Sequence, residues 1–386
     1  MGKHSEISPS NASRWLNCPG SVALLRTLPP EDESAKTAAR LGSIKHAMMA
    51  LFYHYVREFG IDVADHLVVA AGFVKRMYPD LDKFIERPDE LVIEMASYVG
   101  RLTEAANSDP APAIGVEVPI NLSEVHVGMA GTADAVIMAR DQSVIEVVDY
   151  KSGRSQVDPK HNPQLQLYMI GAIGMAPDGS THNFDGHFVT IAQPDESGKM
   201  QFKSSHIDIE DLRDFFDQAR RIAKSIHADT PPKRVPSDTA CQWCRAKSIC
   251  PEYREFACYD LMSDLEDVST VGPEAVAEIL RASGRINKLL KSANDLARDT
   301  IKSGGTIPGY QMRNVRGRRS VLDTHHVRAN LLCKLGRDAF QPRGVSALEK
   351  LAAERGVDVS FAIDPGKITE KLVPLDEEVN EKTEPK

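Results

Sequence analysis

The stretch GTADAVIMARDQSVIEVVDYKSG, residues 131–153, decides the fold of this chain. It holds two β-rich runs separated by turn-like residues, and the first run starts upstream at Val125. A third run, VEVPINL at 116–122, comes before both. Runs rich in β-branched residues and bounded by turn residues are typical of strands. We therefore predict three successive strands in an antiparallel meander.

Helices are predicted before and after these strands. Apolar residues recur at helical spacing from Thr37 to Gly60, and a second helix is expected over 89–107. The segment 162–175 opens with Asn-Pro, a good helix start, so a helix follows the third strand. A hairpin over 186–207 and a helix over 209–226 come next. This order predicts an α/β fold with a mixed central sheet flanked by helices.

Two acids and a lysine stand out in the strand runs. Asp149 and Lys151 share one face of the third strand because side chains alternate with period two. If the second and third strands are adjacent, the carboxylates of Asp134 and Asp149 converge at one rim of the sheet. With the backbone carbonyl of Tyr150 they would form an oxygen-rich site suited to Mg²⁺ or Mn²⁺.

This set of residues fits phosphodiester hydrolysis. The reaction needs a hydroxide near neutral pH and neutralisation of charge on the phosphoryl oxygens, and a divalent cation provides both. A lysine near a ligand carboxylate can orient the attacking water, or accept its proton if the lysine pKa is lowered. The alternative is a strand that ends in solvent, with Asp149 and Lys151 as ordinary rim charges.

The ordered motifs resemble those of the PD-(D/E)xK nuclease superfamily, in its RecB/AddB-like branch. Asp134 in GTADAVI matches the first acid, and Asp149 and Lys151 in VVDYKSG match the second acid and the lysine. ARLGSIKHAMM resembles the helical motif whose histidine, here His46, completes the metal site. The resemblance implies a restriction-endonuclease-like core and catalysis by Asp134, Asp149 and Lys151.

The segment QLQLY carries the Gln-x-x-x-Tyr motif of the same branch as Gln164 and Tyr168. In that family this helix helps to position DNA and the active-site lysine. From the residues alone, Gln164 and Tyr168 could equally be a capping and packing pair on one helical face. His46 could be a partly buried surface histidine, and Glu117 a surface residue or a neighbour of the ligands rather than a ligand.

Three cysteines stand close together in CQWCRAKSIC, residues 241–250. The chain has six cysteines, and in a cytosolic protein clustered thiols indicate a metal rather than disulfides. A zinc site would need a fourth, local ligand, for which Cys258 and His227 are the candidates.

RecB-like nucleases of the iron-sulfur type have one cysteine before the nuclease motifs and C-x2-C-x5-C after them. SPSNASRWLNCP at 8–19 resembles the upstream motif. The resemblance implies a [4Fe-4S] cluster that staples the two ends of the domain. Cys258 and Cys333 are then expected to be buried thiols. The implied ligands are Cys18, Cys241, Cys244 and Cys250.

Three regions are predicted along the chain. Residues 1–260 form the nuclease domain with its iron-sulfur clasp. Residues 261–375 form an accessory region with a long helix at 273–302 and a basic hairpin around RNVRGRRS, residues 313–320. Residues 376–386 form a disordered acidic tail.

Composition limits the function. A net charge of -8 argues against a protein that coats nucleic acid through bulk charge. The absence of a run of about 18 apolar residues and of a signal-like start predicts no membrane partner and a cytoplasmic location, in a bacterium or a phage-infected host.

The expected function is a metal-dependent DNA exonuclease acting on ends or single strands in replication, recombination or repair. No Walker A motif is present, so any unwinding must come from a helicase or recombinase partner. One alternative is a catalytically silent, nuclease-like module that binds DNA through the arginines of 313–319. Another is a zinc-stabilised binding protein without iron.

Overall fold

The computed structural model divides into two compact units, residues 1–293 and 294–386. It describes residues 6–28, 33–77, 88–141, 143–153, 155–174, 184–195, 198–262, 273–316, 320–322, 325–335, 345–364 and 368–374.

The first unit combines five strands with helices. The strands are β1 (Ala113–Asn121), β2 (Ala130–Met138), β3 (Val144–Tyr150), β4 (Gly186–Pro194) and β5 (Met200–Ile207). The helices before the sheet are α1 (Ala12–Asn17), α2 (Ser21–Leu25), α3 (Glu33–Glu58), α4 (His66–Met77) and α5 (Pro88–Ala106). The later helices are α6 (Pro163–Ile173), α7 (Ile209–Ile226), α8 (Asp238–Cys241), α9 (Pro251–Met262) and α10 (Pro273–Lys302), of which α10 runs past the end of the unit.

The five strands form one mixed sheet in the order β1-β2-β3-β4-β5. The first three strands pair antiparallel, which confirms the predicted meander. β3 and β4 pair parallel, and α6 provides the crossover that a parallel pair requires. β4 and β5 form the predicted antiparallel hairpin. The α/β class and the mixed sheet flanked by helices are therefore confirmed.

The sheet has a hydrophobic core on each face. Because successive side chains of a strand point to opposite faces, Val147 and Val148 of β3 lie in different cores. The α6-side core contains Val147 with Leu165 and Leu167 of α6. The α3-side core contains Val148 with Phe52 of α3 and residues of α5. Helices that precede the sheet and the helix that follows β3 thus enclose the middle strands.

The start of α6 is fixed by its sequence, as predicted. The side chain of Asn162 accepts hydrogen bonds from the backbone N–H groups of Gln164 and Leu165, at 3.1 and 3.3 Å. Pro163 occupies the first helical position, where no N–H is needed. The cap holds the first turn of α6 beside the end of β3.

The second unit has a small core of its own. It contains β6 (Tyr310–Arg316), β7 (Ser320–Val321), α11 (His325–Leu335), α12 (Val345–Glu354), β8 (Ile363–Asp364) and β9 (Ile368–Pro374). Helices α11 and α12 bury apolar side chains against each other and against the segment that follows them.

The basic segment does not pair as the predicted hairpin. β6 pairs antiparallel with β9, and β7 pairs with β8. The partner of β6 is an alternating run more than fifty residues later, which a local turn pattern cannot reveal. The long helix at 273–302 has the expected bounds. The arginine side chains after Asn314 and the acidic tail at 376–386 lie outside the described residues.

Candidate metal centre

Three side chains from three elements meet where the middle of α3 lies beside β1 and β2. His46, Glu117 and Asp134 each offer one ligand atom, and these atoms lie within 4.8 Å of one another. His46 Nδ1 is 2.7 Å from Asp134 Oδ1. The other oxygen of Asp134 accepts a hydrogen bond from the backbone N–H of Tyr150, at 2.6 Å. An imidazole with two carboxylates is a donor set that binds divalent cations such as Mn²⁺.

β1 is distorted at Glu117. This residue has a φ of 49°, in the left-handed region that a glutamate rarely adopts. Val116 packs against the α3-side core, whereas Val118 lies in the α6-side core. Residues two apart in a regular strand share a face, so this difference is an irregularity. Ile114 lies in the same core as Val116, and Ile120 lies in the same core as Val118, so the face changes at Glu117. Strained backbone of this kind concentrates at functional sites.

β2 changes face at the residue opposite. Ala133 lies in the α6-side core and Ala135 in the α3-side core, although residues two apart in a regular strand share a face. The register pairs Val116 with Ala135 and Val118 with Ala133, so Glu117 lies directly across from Asp134. The paired irregularity brings both carboxylates to one point on the sheet.

The second acid and the lysine form a network beside this point. Lys151 Nζ is 2.8 Å from Asp149 Oδ2 and donates to Gln164 Oε1 at 2.8 Å. The amide nitrogen of Gln164 donates to Asp149 Oδ1 at 3.1 Å and to the hydroxyl of Tyr168 at 3.4 Å. The four residues therefore form a continuous chain of contacts from β3 to α6.

Asp149 and Asp134 lie on neighbouring strands. The β2–β3 register pairs Ala135 with Val148, and the two aspartates are the next positions along each strand. The β2–β3 register therefore brings the two acids side by side, as the sequence predicts. Asp149 itself contacts Lys151 and Gln164, while the three-residue cluster is completed by Glu117.

Burial and crowding shift the acidity of the site. Burial, opposed by Lys151 and reinforced by Asp134, raises the pKa of Asp149 to about 6. Burial and the charge of Asp134 also raise the pKa of Glu117. Burial disfavours the imidazolium of His46, but the hydrogen bond and charge of Asp134, with Asp149 and Glu117, outweigh it and raise its pKa. The carboxylates repel one another, and a bound cation would relieve that repulsion.

A buried network supports the site from the α5 side. The hydroxyl of Tyr150 donates to Glu94 Oε2, and Lys45 Nζ lies 3.3 Å from the same oxygen. The ring of Tyr150 meets that of His46 edge-on, with 5.4 Å between centroids, and that of Tyr98 at 5.9 Å. Glu94 therefore connects the residue before Lys151 with the helix that carries His46.

Glu117 and Glu94 were not identified as site residues by sequence reasoning. Glu117 was expected at the surface or near the ligands, because a lone glutamate in a strand gives no signal of its own. Its place beside Asp134 depends on the β1–β2 register. Glu94 lies in α5 among ordinary helical acids, and only the packing of α5 on the sheet brings it to Tyr150.

A second candidate site lies where the N-terminal helices meet the cysteine segment. The backbone N–H of Val235 donates to Cys18 Sγ at 3.2 Å. Lys247 is buried, and its ammonium donates to the carbonyl oxygens of Cys241 and Gln242 at 2.8 and 3.0 Å. One cavity is lined by the four cysteines predicted to act together, Cys18, Cys241, Cys244 and Cys250.

The four thiols of this cavity are buried, and burial makes three of them harder to ionise. Burial raises the pKa of Cys241 to about 11 and also raises the pKa of Cys244 and Cys250. A metal binds thiolates, so binding here would displace protons. Arg14 and Lys247 lie close enough to attract such thiolates electrostatically.

His227, Cys258 and Cys333 are the remaining residues that the sequence analysis considered as metal ligands or buried thiols. The ring of His227 stacks on that of His126, with 4.3 Å between centroids. The side chain of Cys258 lies outside the described residues. Cys333 is exposed, so the expectation of a buried thiol is wrong for this residue. Helix α11 buries Val327, Leu331 and Leu335, spaced by four, and residue 333 falls on the opposite face.

The comparisons with known proteins extend over most of the chain. A family model described as a protein of unknown function (DUF2800) matches residues 4–357. The match includes every residue of the three-residue cluster, the lysine network and the cysteine cavity. Within the described residues, no helix is both long and apolar enough to cross a bilayer.

Proposed function

The chain belongs to the DUF2800 family, and we propose from its own site that it is a metal-dependent DNA nuclease of the PD-(D/E)xK superfamily, RecB/AddB-like branch. The observation that carries the proposal is the meeting of His46, Glu117 and Asp134 with the Asp149–Lys151–Gln164 network at one place on the sheet.

The arrangement assigns a task to each group. His46, Glu117 and Asp134 would hold Mg²⁺ or Mn²⁺, with Asp149 on the neighbouring strand as a further carboxylate. When bound, such a cation lowers the pKa of water and offsets negative charge on a phosphodiester. Asp134 is itself held in place by His46 and by the N–H of Tyr150.

Lys151 would act on the attacking water. Its side chain is 29% exposed, and contacts with Asp149 and Gln164 hold its ammonium in position. A lysine held in this way can orient a water molecule or take up its proton. The hydroxyl of Tyr168 accepts a hydrogen bond from Gln164 and is the last group of the network on α6. Tyr168 would help position the substrate strand.

The topology supports the same superfamily. Three antiparallel strands, a crossover helix and a parallel fourth strand match the restriction-endonuclease-like core that the motifs imply. The choice of DNA, and of digestion from ends or single strands with a helicase or recombinase partner, rests on the resemblance of the motifs.

We further assign a [4Fe-4S] cluster to the cysteine cavity. Four buried cysteines from two distant segments line it, and four thiolates are the usual ligands of such a cluster. The cationic side chains of Arg14 and Lys247 would offset its negative charge. Zn²⁺ bound by the same thiolates is the alternative, and metal analysis separates the two.

Cleavage of end-labelled DNA with Mn²⁺, compared with EDTA, tests the nuclease proposal. Asp149→Ala and Lys151→Ala are expected to lower the cleavage rate by at least about 100-fold, with unchanged circular dichroism. Lys203→Ala is a matched control, because this lysine on β5 bonds to Gln156 rather than to the site. Equal cleavage in all variants, or cleavage that persists in EDTA, would contradict the proposal.

A further inference from the structure

The side chain of Trp243 lies in solvent next to the cysteine cavity. It is 79% exposed and stands between Cys241 and Cys244. The chain has one other tryptophan, Trp15, which is fully buried with its Nε1 donating to the carbonyl of Ser8 at 3.0 Å. An exposed indole offers a flat aromatic face on which a nucleobase can stack.

Trp243 borders a cleft with three arginines. The other lining residues include Asn11 and Glu6 together with Arg14, Arg26 and Arg245. Glu6 pairs with Arg26 through contacts of 2.8 and 2.5 Å. Three arginines and one glutamate give the cleft a formal charge of +2, on a chain whose net charge is -8. A positive cleft on an acidic protein favours an anionic ligand.

We propose that this cleft binds single-stranded nucleic acid. A base would stack on the indole of Trp243, and the adjoining phosphates would face Arg26 and Arg245. Proteins that bind single strands combine a positive groove with aromatic side chains on which bases stack. The proposal rests on the proposed nuclease function for the choice of DNA, but the cleft lies outside the catalytic network.

The N-terminal segment that lines the cleft also packs against α6. Asn11 lines the cleft, and Pro9 packs near Gly131 of β2. A Cβ atom at Gly131 would lie 3.1 Å from Pro9 Cγ and 2.7 Å from the ring of Tyr168. The cleft and the Gln164–Tyr168 end of the network therefore lie against the same N-terminal segment, residues 9–11.

Tryptophan fluorescence tests the proposal directly. Oligo-thymidylate is titrated into the protein in EDTA, which prevents metal-dependent cleavage. Because Trp15 is buried, we expect saturable quenching from Trp243 that is absent in Trp243→Phe. By anisotropy of labelled oligonucleotide, Trp243→Ala should raise the Kd about tenfold, and Trp243→Phe by less than about threefold. Val68→Ala, at an exposed position of α4, is the matched control and should bind as the wild type does.

The salt dependence of oligonucleotide binding provides a second test, in which Trp243 is left in place. Arg245→Gln should weaken binding and reduce the slope of log Kd against log salt by about 0.7, the value for one phosphate contact on a single strand. An unchanged slope together with an equal Kd for Trp243→Ala would overturn the proposal, as would failure of the wild type to bind.

The results separate this proposal from the nuclease function. Trp243-dependent binding without any Mn²⁺-dependent cleavage would support the cleft and contradict the nuclease. Mn²⁺-dependent cleavage, with oligonucleotide binding unchanged by substitution of Trp243 or Arg245, would support the nuclease function and contradict binding at the cleft.

Discussion

Asp149 is a buried carboxylate, and burial disfavours its ionised form. It is 3% exposed, and burial together with Asp134 raises its pKa to about 6 despite the ion pair with Lys151. The folded protein therefore holds a proton on this group more tightly than the unfolded chain does. Between the ordinary aspartate pKa and about 6 the folded state binds more protons, so this group lowers the free energy of unfolding as the pH rises.

Asp149→Asn should remove this pH dependence together with cleavage. In EDTA, the unfolding free energy of the variant relative to the wild type should increase from pH 4 to pH 7, on the order of 1 to 3 kcal/mol. Urea titrations at a series of pH values measure it. A difference that stays constant over this range would show that Asp149 ionises normally in the folded protein.

Glu94 is expected to act through Tyr150 and not on the substrate. Glu94→Gln keeps the volume but weakens the bond to the Tyr150 hydroxyl and removes the ion pair with Lys45. We expect cleavage to fall about tenfold and the Mn²⁺ concentration for half-maximal rate to rise, because positioning of the ligands is lost. A stability loss of about 1 to 2 kcal/mol with an unchanged Mn²⁺ requirement would mean a structural role only.

Many of the contacts within the candidate site could be predicted from the sequence. Alternation along β3 predicted the pairing of Asp149 and Lys151, and adjacency of β2 and β3 predicted that Asp134 lies beside Asp149. Gln164 was implied by the family resemblance. Glu117 could not be predicted in the same way, because a lone acid in a strand is unremarkable until the register and its φ of 49° are known.

At the scale of elements, β2 and α6 meet at Gly131. A glycine is needed there because a Cβ atom would lie 2.7 Å from the Tyr168 ring and 3.1 Å from Pro9. The close approach lets the Gln164–Tyr168 end of the network lie against the strand that carries Asp134. The packing of these two elements thus links the lysine network with the candidate metal ligands.

Gly131→Ala should displace Tyr168 without unfolding the protein. We expect about tenfold slower cleavage and a loss of stability of about 1 to 3 kcal/mol from overpacking. Gly72→Ala is the control, since a Cβ there meets nothing within 4 Å and should stabilise α4 by up to about 1 kcal/mol. Activity and urea midpoint are measured for both variants. Wild-type cleavage by Gly131→Ala would show that the position of Tyr168 is unimportant.

Elements with strong local signals were predicted, and those defined by distant partners were not. The Asn-Pro start of α6 and the apolar spacing of α3 gave correct helices. The predicted local hairpin at β6 was wrong, because β6 pairs with β9. β9 lies beyond two helices, and no local pattern relates the two strands. Helix α4 was not predicted from the sequence.

At the scale of the whole molecule, the cysteine cavity joins segments more than two hundred residues apart. Cys18 follows α1, and the other three cysteines come after α7. Bound metal would stabilise the first unit by fixing these segments together, because the unfolded chain has no preformed site. This arrangement was implied by the family resemblance, whereas spacing alone also allowed a local zinc site.

Cys18→Ser should therefore act on metal content and on stability together. In anaerobically purified protein we expect loss of the brown colour and of about four irons per chain, with a Tm lower by on the order of 10 °C. Cys333→Ser is the matched control, because this thiol is exposed on α11. A colourless, zinc-containing wild type would contradict the iron-sulfur assignment, and full iron content in Cys18→Ser would exclude Cys18 as a ligand.

We propose that His46, Glu117 and Asp134 bind the cation used in phosphodiester hydrolysis. The most direct test is the rate of DNA cleavage as a function of Mn²⁺ concentration for the wild type, Glu117→Gln and the control Glu124→Gln, whose side chain is exposed in the β1–β2 connection. We predict saturable cleavage by the wild type and the control, and a half-maximal Mn²⁺ concentration at least about tenfold higher for Glu117→Gln. No cleavage at any Mn²⁺ concentration, or identical curves for all three proteins, would contradict it.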